Sequence, residues 1–359
     1  MSLYVMAING YLRTLISVYN EHHGAVSNRL FLFGLRVFGV CVTSLTIAKA
    51  PAKDWRLIGA FAAVYIIWGS TYLAIRFAVD TMPPFLMAGV RFMIAGGILY
   101  TLMASRGTPA PKRIHWRSTL IIGALLLLAG NGGVVWAEQR VPSGIASLLV
   151  AIVPLWIVLI DWLRPGGSRP GLPVMVGVLV GLAGIGLLVI GGDETSKPVD
   201  ILGIISILIA SICWAIGTFY ARRATLSSSS LQTTAMEMLC GGALLLLVGT
   251  VTGEWGRLDV AKISLTSVLA VIYLIVFGAL VAYTAYTYLI NHAPPARAAT
   301  YAYVNPVVAV FLGWLFRGEP LTIRTVIAAA IIVGSVVIIT TYNASRSSSG
   351  AAVVPPSEV

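Results

Sequence analysis

Residues 303–322 read YVNPVVAVFLGWLFRGEPLT. The run is apolar enough to lie in a membrane, yet it opens on Asn305-Pro306 and closes on Arg317-Gly318-Glu319-Pro320. An earlier stretch answers to it. At a shift of 152, Pro142, Ala146, Pro154, Val158, Trp162 and Gly166 fall on Pro294, Ala298, Pro306, Val310, Trp314 and Gly318. At a shift of 146, Trp68 falls on Trp214 and Arg76 on Arg222. At 145, Leu86, Met93, Gly96, Gly97 and Leu99 fall on Leu231, Met238, Gly241, Gly242 and Leu244. Self-similarity over this length marks the second half of the chain as a diverged copy of the first.

The chain has 359 residues, 58% of them hydrophobic and 10% charged, with a mean hydropathy of +0.91. That excludes a water-soluble domain. A helix needs about 20 apolar residues to cross the hydrocarbon core. Such stretches fall at 57–79, 84–104, 118–138, 144–163, 172–191, 201–221, 231–252, 266–290, 296–316 and 322–341. The expected fold is an all-α integral membrane protein of ten transmembrane helices. Five spans per copy is an odd number, so the second copy enters the bilayer from the other face. The two repeats are then inverted, a construction from which many secondary transporters build alternating access.

The domains expected are an N-terminal extension over 1–54, a first repeat over 55–192, a second over 193–342 and a disordered tail over 343–359. Within the extension, Leu30–Ala48 is long enough to associate with a membrane. The net charge of +11 does not mark a nucleic-acid binder, because Lys and Arg punctuate short loops instead of clustering on a soluble face. Counted by the positive-inside rule from residue 49 onward, thirteen lie on the side of the N-terminus and six opposite, which places both termini in the cytoplasm. Of the three cysteines, Cys213 and Cys240 fall inside spans and Cys41 does not, which argues against a disulfide framework.

Pro154 and Pro306 each stand about ten residues into an apolar run, where proline removes a backbone hydrogen bond and bends the helix. Lipid tolerates that only where protein or a cavity covers the freed carbonyl. The fourth and ninth spans should therefore face inward, as gate elements. The Arg317–Pro320 end reads as a tight turn outside the membrane.

The runs PVVAVFLGWLFRGEPLT (306–322), IIWGSTYLAIRFAV (66–79), RFMIAGG (91–97) and CWAIGTFYARR (213–223) resemble EamA-type members of the drug/metabolite transporter superfamily. AEQRVPSGIASLL (137–149) is similar to a subgroup of bacterial inner-membrane exporters of drugs and amino-acid-like metabolites. The resemblance covers residues 55–342. It implies ten helices, two EamA repeats, a central cavity, cytoplasmic termini and export of small organic molecules.

Candidate cavity residues follow from helical spacing. Tyr65, Trp68, Tyr72 and Arg76 form one stripe of the first span, with Ser70 beside it. The matching stripe of the sixth is Ser211, Trp214, Thr218 and Arg222. Aromatic faces beside hydroxyls suit an amphipathic organic cargo, whereas Arg76 and Arg222, near helix ends, are expected to snorkel to head groups. Asn131 sits in the glycine-dense stretch Ala129–Gly133 of the third span, with Trp136 further along. The eighth span supplies Tyr283 and Tyr286.

Charges deep in lipid are functional candidates by default. Arg91 and Glu237 each lie roughly 10 Å inside their own face, too far apart in depth for a direct bridge. Arg91 is instead expected to reach Glu138, and Glu237 to carry a proton. No Lys lies inside a span, which suits neutral, zwitterionic or aromatic cargo better than phosphates. Asp161 beside Arg164 reads as interfacial.

No cofactor or metal is expected: the four histidines show no ligand spacing, and no glycine-rich Lys loop follows a strand. An enzyme is accordingly not expected. The partners expected are a small-molecule substrate and the lipid bilayer, with protons as a coupling ion and the oligomeric state open. The competing readings are a channel, for which Asn305-Pro306 is a faint sign, and a scaffold, for which Gly177-x-x-x-Gly181 is one.

Overall fold

The computed structural model describes residues 55–165, 169–189, 200–293 and 300–350. The N-terminal extension, the last nine residues of the tail and the repeat matches at Gly166, Pro294 and Ala298 lie outside the described residues. In chain order the helices are α1 (Trp55–Ala78), α2 (Pro84–Ser105), α3 (Arg113–Ala137), α4 (Ser143–Leu163), α5 (Leu172–Val189), α6 (Ile201–Ala221), α7 (Ser230–Val251), α8 (Leu265–Leu289), α9 (Tyr301–Arg317) and α10 (Ile323–Gly350). No strand occurs among the described residues. Among the described residues, eight helices are long and apolar enough to cross a membrane. The other two, α5 and α9, stand where the fifth and ninth spans were expected and are shorter.

The exposed surface carries the membrane signature. On α2, Val90, Ile94, Ile98 and Leu102 repeat every four residues and are each 40–46% exposed, while Ala88, Phe92, Ala95 and Leu99 on the other face are buried. An apolar stripe of that length left uncovered is a liability in water and the correct surface in lipid.

Inside the bundle, each half packs against the other. Close neighbours include α2 with α7, α5 with α10, and α4 with α9, each pair joining equivalent helices of the two copies. Several other contacts exchange in the same way: α1–α8 matches α6–α3, α1–α9 matches α6–α4, and α2–α8 matches α7–α3. Small residues permit the closest approaches. A Cβ on Gly242 would stand 3.0 Å from the Met93 backbone nitrogen, and one on Gly96 would stand 2.9 Å from Met238 Cβ, so α2 and α7 touch nearly backbone to backbone. Gly177 and Gly181 face Ile339 and Ser335 of α10, so this glycine pair is used within the bundle.

The two proline spans differ. In α4 the helix stops after Val150 and restarts at Val153, which puts Pro154 in the first turn of the new segment, where its missing N–H leaves no ladder bond broken. The bend expected there is thus an interruption. Pro306 stands inside an unbroken α9 and is buried, as is Asn305. Opposite them is Gly69 of α1, whose absent side chain makes room for Val308 and the Asn305 carbonyl.

Three stretches are wound as π-helix: Val64–Trp68 in α1, Gly123–Gly132 in α3 and Leu274–Val281 in α8. Such widened turns gather at functional sites. Here they carry Trp68 and Asn131 and end two residues before Tyr283.

Candidate functional site

Trp68 is the hub. Its indole N–H donates to the Gly278 carbonyl at 3.2 Å, in the π-helical part of α8. Its ring meets Tyr283 at 5.2 Å and Tyr301 at 5.2 Å, both edge-on, and Tyr286 at 5.1 Å, tilted. Tyr286 and Tyr301 meet each other at 5.6 Å. Centroid separations of this kind are those of favourable aromatic pairs. Four rings from α1, α8 and α9 thus form one box. Tyr72, Tyr283, Tyr286 and Tyr301 are each half-buried, with accessible surface left among the packed helices. Rings that pack on one another yet keep accessible surface border a recess between α1, α8 and α9.

Other expected residues join this region or stand apart from it. Tyr65 hydrogen-bonds Thr300 at the foot of α9. Ser70 Oγ donates to the Ile67 carbonyl and lies 2.6 Å from the Tyr273 hydroxyl. Trp214 packs on Gly130 in the π-helical part of α3, which mirrors the meeting of Trp68 with Gly278. Thr218 turns its hydroxyl back to the Trp214 carbonyl at 2.8 Å, so it offers no free donor sideways. Trp136 lies apart, under the Arg140 guanidinium at 4.1 Å.

The charged residues depart most from expectation. Arg91 is 5% exposed and donates from Nη2 to Asn131 Oδ1 at 2.8 Å, so the expected Arg91–Glu138 pair is not formed. The reason is depth. Asn131 precedes Glu138 by seven residues, about 10 Å along α3, and Arg91 lies the same distance into α2. Glu138 is fully buried with neither carboxylate oxygen hydrogen-bonded. Arg76 does not snorkel: its Nη1 donates to the Glu138 backbone carbonyl. Arg222 is exposed, 6.0 Å from the Phe219 ring. Glu237 is half-buried, within electrostatic reach of Tyr283 and Cys240, and forms no ion pair among the described residues.

One end of the bundle is tied shut. Arg317 grips Asp80 with both Nη nitrogens, at 2.5 and 2.7 Å. Two residues on, the Glu319 carboxylate accepts from Ser143 N at 2.7 Å, Ser143 Oγ at 2.9 Å and Gly144 N at 3.0 Å. These are the first N–H groups of α4, which have no partner within their own helix. Gly318 between the two has φ +66°, a left-handed turn that glycine adopts without strain. Glu254, 2% exposed, does the same for α2 by accepting from Leu86 N at 2.8 Å and Phe85 N at 3.3 Å. Carboxylates of the second half therefore cap two helices of the first.

Tyr301 and the two carboxylate clamps were not foreseen. The spacing of Tyr301 four residues before Asn305 was the available sign for the ring. The only sign for the clamps was an acidic residue in each turn. A separate groove of about 350 Å³ lies between Trp116 and Leu120 of α3 and Leu239–Leu247 of α7, on the apolar flank and away from the recess.

A helical bundle with a lipid-compatible surface and two halves that pack on each other around a cluster of aromatic side chains is the build of a polytopic membrane transporter. The chain belongs to the EamA-like transporter family, whose model matches residues 55–190 and 201–341. It is 46% identical over 267 residues to the uncharacterized inner membrane transporter YedA of Escherichia coli (strain K12), covering 74% of this chain and 84% of YedA. It is 25% identical over 276 residues to the uncharacterized transporter YvbV of Bacillus subtilis (strain 168), covering 77% and 88%. A solved crystal structure shares the fold with a TM-score of 0.56 at 22% identity, covering 82% of this chain and all of that one.

Proposed function

We propose that this protein is a secondary transporter of the bacterial inner membrane that exports small organic molecules, amphipathic or aromatic, by alternating access. In this reading it crosses the membrane ten times as two inverted five-helix repeats, residues 55–192 and 193–342, with both termini in the cytoplasm. The carrying observation is the aromatic box. Trp68 comes from the first half, and Tyr283, Tyr286 and Tyr301 from the second. A site shared by both halves is the arrangement that a rocking motion can expose to either side in turn.

The clamps at Asp80–Arg317 and Ser143–Glu319 close the extracytoplasmic end in this assignment, so the described state has its outer side shut. The interruption at Pro154 and the Asn305-Pro306 contact with Gly69 are the points where α4 and α9 flex. Glu237, partly exposed and without an ion pair among the described residues, carries the coupling proton. YedA, an inner membrane transporter by name, supports the location.

The test is efflux from proteoliposomes loaded with aromatic amines, amino acids or antibiotics. A transporter gives saturable flux and exchange, which Trp68→Ala weakens. Unsaturable flux would make it a channel. A total lack of flux for every compound would leave the scaffold reading.

A further inference from the structure

Arg91 presents an unfilled seat. A guanidinium has five N–H donors in a rigid planar fork that matches a carboxylate. Only Nη2 is engaged, by the neutral amide of Asn131 at 2.8 Å, and the guanidinium carbon lies 4.3 Å over the Phe92 ring. Nε and Nη1 are buried with no acceptor. Leaving charged donors unpaired away from water costs a protein heavily, which marks a place where something else completes them.

The groups facing Arg91 do not. Asn131 supplies no charge. Glu138 and Tyr283 are near enough to act on its charge, but neither makes a hydrogen bond to it, and no carboxylate among the described residues lies within ion-pair distance. The Glu138 backbone carbonyl accepts from Arg76, and its carboxylate makes no hydrogen bond. Tyr283 is the link to the aromatic box: its ring touches Trp68 at 5.2 Å, and it lies within electrostatic reach of Arg91. A molecule with its ring against Trp68 would carry its polar head past Tyr283 toward Arg91.

We propose that Arg91, held in place by Asn131, is the anchor for the carboxylate of a cargo whose aromatic or apolar body lies in the box of Trp68, Tyr283, Tyr286 and Tyr301. This rests on the transporter reading above and narrows its cargo to organic carboxylates, whether zwitterions or simple acids. A single guanidinium neutralises one carboxylate charge and leaves a phosphate ester only half compensated.

The test uses three probes on the purified full chain: phenylalanine, 3-phenylpropanoate, which lacks the amine, and phenethylamine, which lacks the carboxylate. Binding is read by calorimetry and thermal shift. The wild type should bind both carboxylates at least about tenfold more tightly than phenethylamine. Arg91→Gln should remove that preference. Because Arg91→Gln can disturb folding, Asn131→Asp is the second variant: it supplies a carboxylate at the seat, so it should raise the melting temperature and weaken both carboxylates at least about tenfold, more than it weakens phenethylamine. Phenethylamine binding as tightly as phenylalanine, or undiminished carboxylate binding by Asn131→Asp, overturns the carboxylate seat and leaves export of other cargo standing. Failure of all three probes to bind overturns the seat as well. Only a parallel lack of efflux for every compound class overturns the transporter reading with it.

Discussion

The tied end of the bundle and the recess at its middle treat polar groups in opposite ways. At the end, Glu319 accepts three hydrogen bonds, Glu254 two, and Arg317 meets Asp80 through two nitrogens. Deeper in, Arg91 keeps two nitrogens without acceptors and Glu237 has no ion pair among the described residues, while Glu138, at the tied end of α3, keeps two oxygens without donors. A protein that only needed stability would spend its hydrogen-bonding capacity where desolvation is most severe. This one pairs most of the charges at that end, Glu138 excepted, and leaves Arg91 and Glu237 short of partners deeper in, which separates the residues that hold a state from those that await a ligand.

That contrast predicts two kinds of variant. The largest effect belongs to Glu237→Gln, which should abolish uphill proton-driven efflux in proteoliposomes while cargo binding persists; uphill transport at the wild-type rate would remove Glu237 from coupling. Next comes Trp68→Ala. Loss of the hub ring should weaken cargo binding by roughly 30-fold, about 2 kcal/mol, and unchanged affinity in calorimetry would reduce the box to packing.

At the tied end the signs reverse. Glu319→Ala strands the first N–H groups of α4 and should cost about 2 kcal/mol of stability. It should also raise the reactivity of a cysteine placed at Ser143 while cargo affinity stays within about twofold of wild type. A loss of affinity without a change in cysteine reactivity would show that the two regions are not separable. The smallest effect is the control at the opposite end. Asp161 and Arg164 pair within one helix at 2.7 Å and are partly exposed, so Asp161→Asn should change stability by less than about 1 kcal/mol.

Much of the fold was legible in the sequence, because hydrophobic length and repeated motifs survive without knowledge of packing. Of the matched glycines, Gly96 and Gly242 do lie at the α2–α7 contact, whereas Gly241 packs on α3 and Gly97 faces open space; Trp68, Tyr283 and Tyr286 do meet. What failed did so for three-dimensional reasons. Arg91 and Glu138 are a sensible pair by charge, but helix rise sets them at different depths, and the amide at the right depth took the bond. Pro154 and Pro306 look equivalent in the repeat, yet one begins a helical segment and the other sits inside one, because only the first follows a two-residue turn. Arg76 was read from its place near a helix end, which does not reveal that a neighbouring carbonyl faces it. The π-helical stretches left no sign beyond glycine density around Asn131. The clamps required knowing that the turn after α9 stands beside the start of α4, a contact between residues 176 positions apart.

The central claim, that two oppositely inserted halves enclose the recess, is tested most directly by the sidedness of three positions. In a variant without Cys41, Cys213 and Cys240, single cysteines at Arg106, Ser228 and Gly318 are exposed to an impermeant thiol reagent in intact and permeabilised cells. Two inverted halves predict that Gly318 reacts in intact cells, while Arg106 and Ser228 react only after permeabilisation. Reaction of Arg106 and Ser228 from opposite sides would contradict the account.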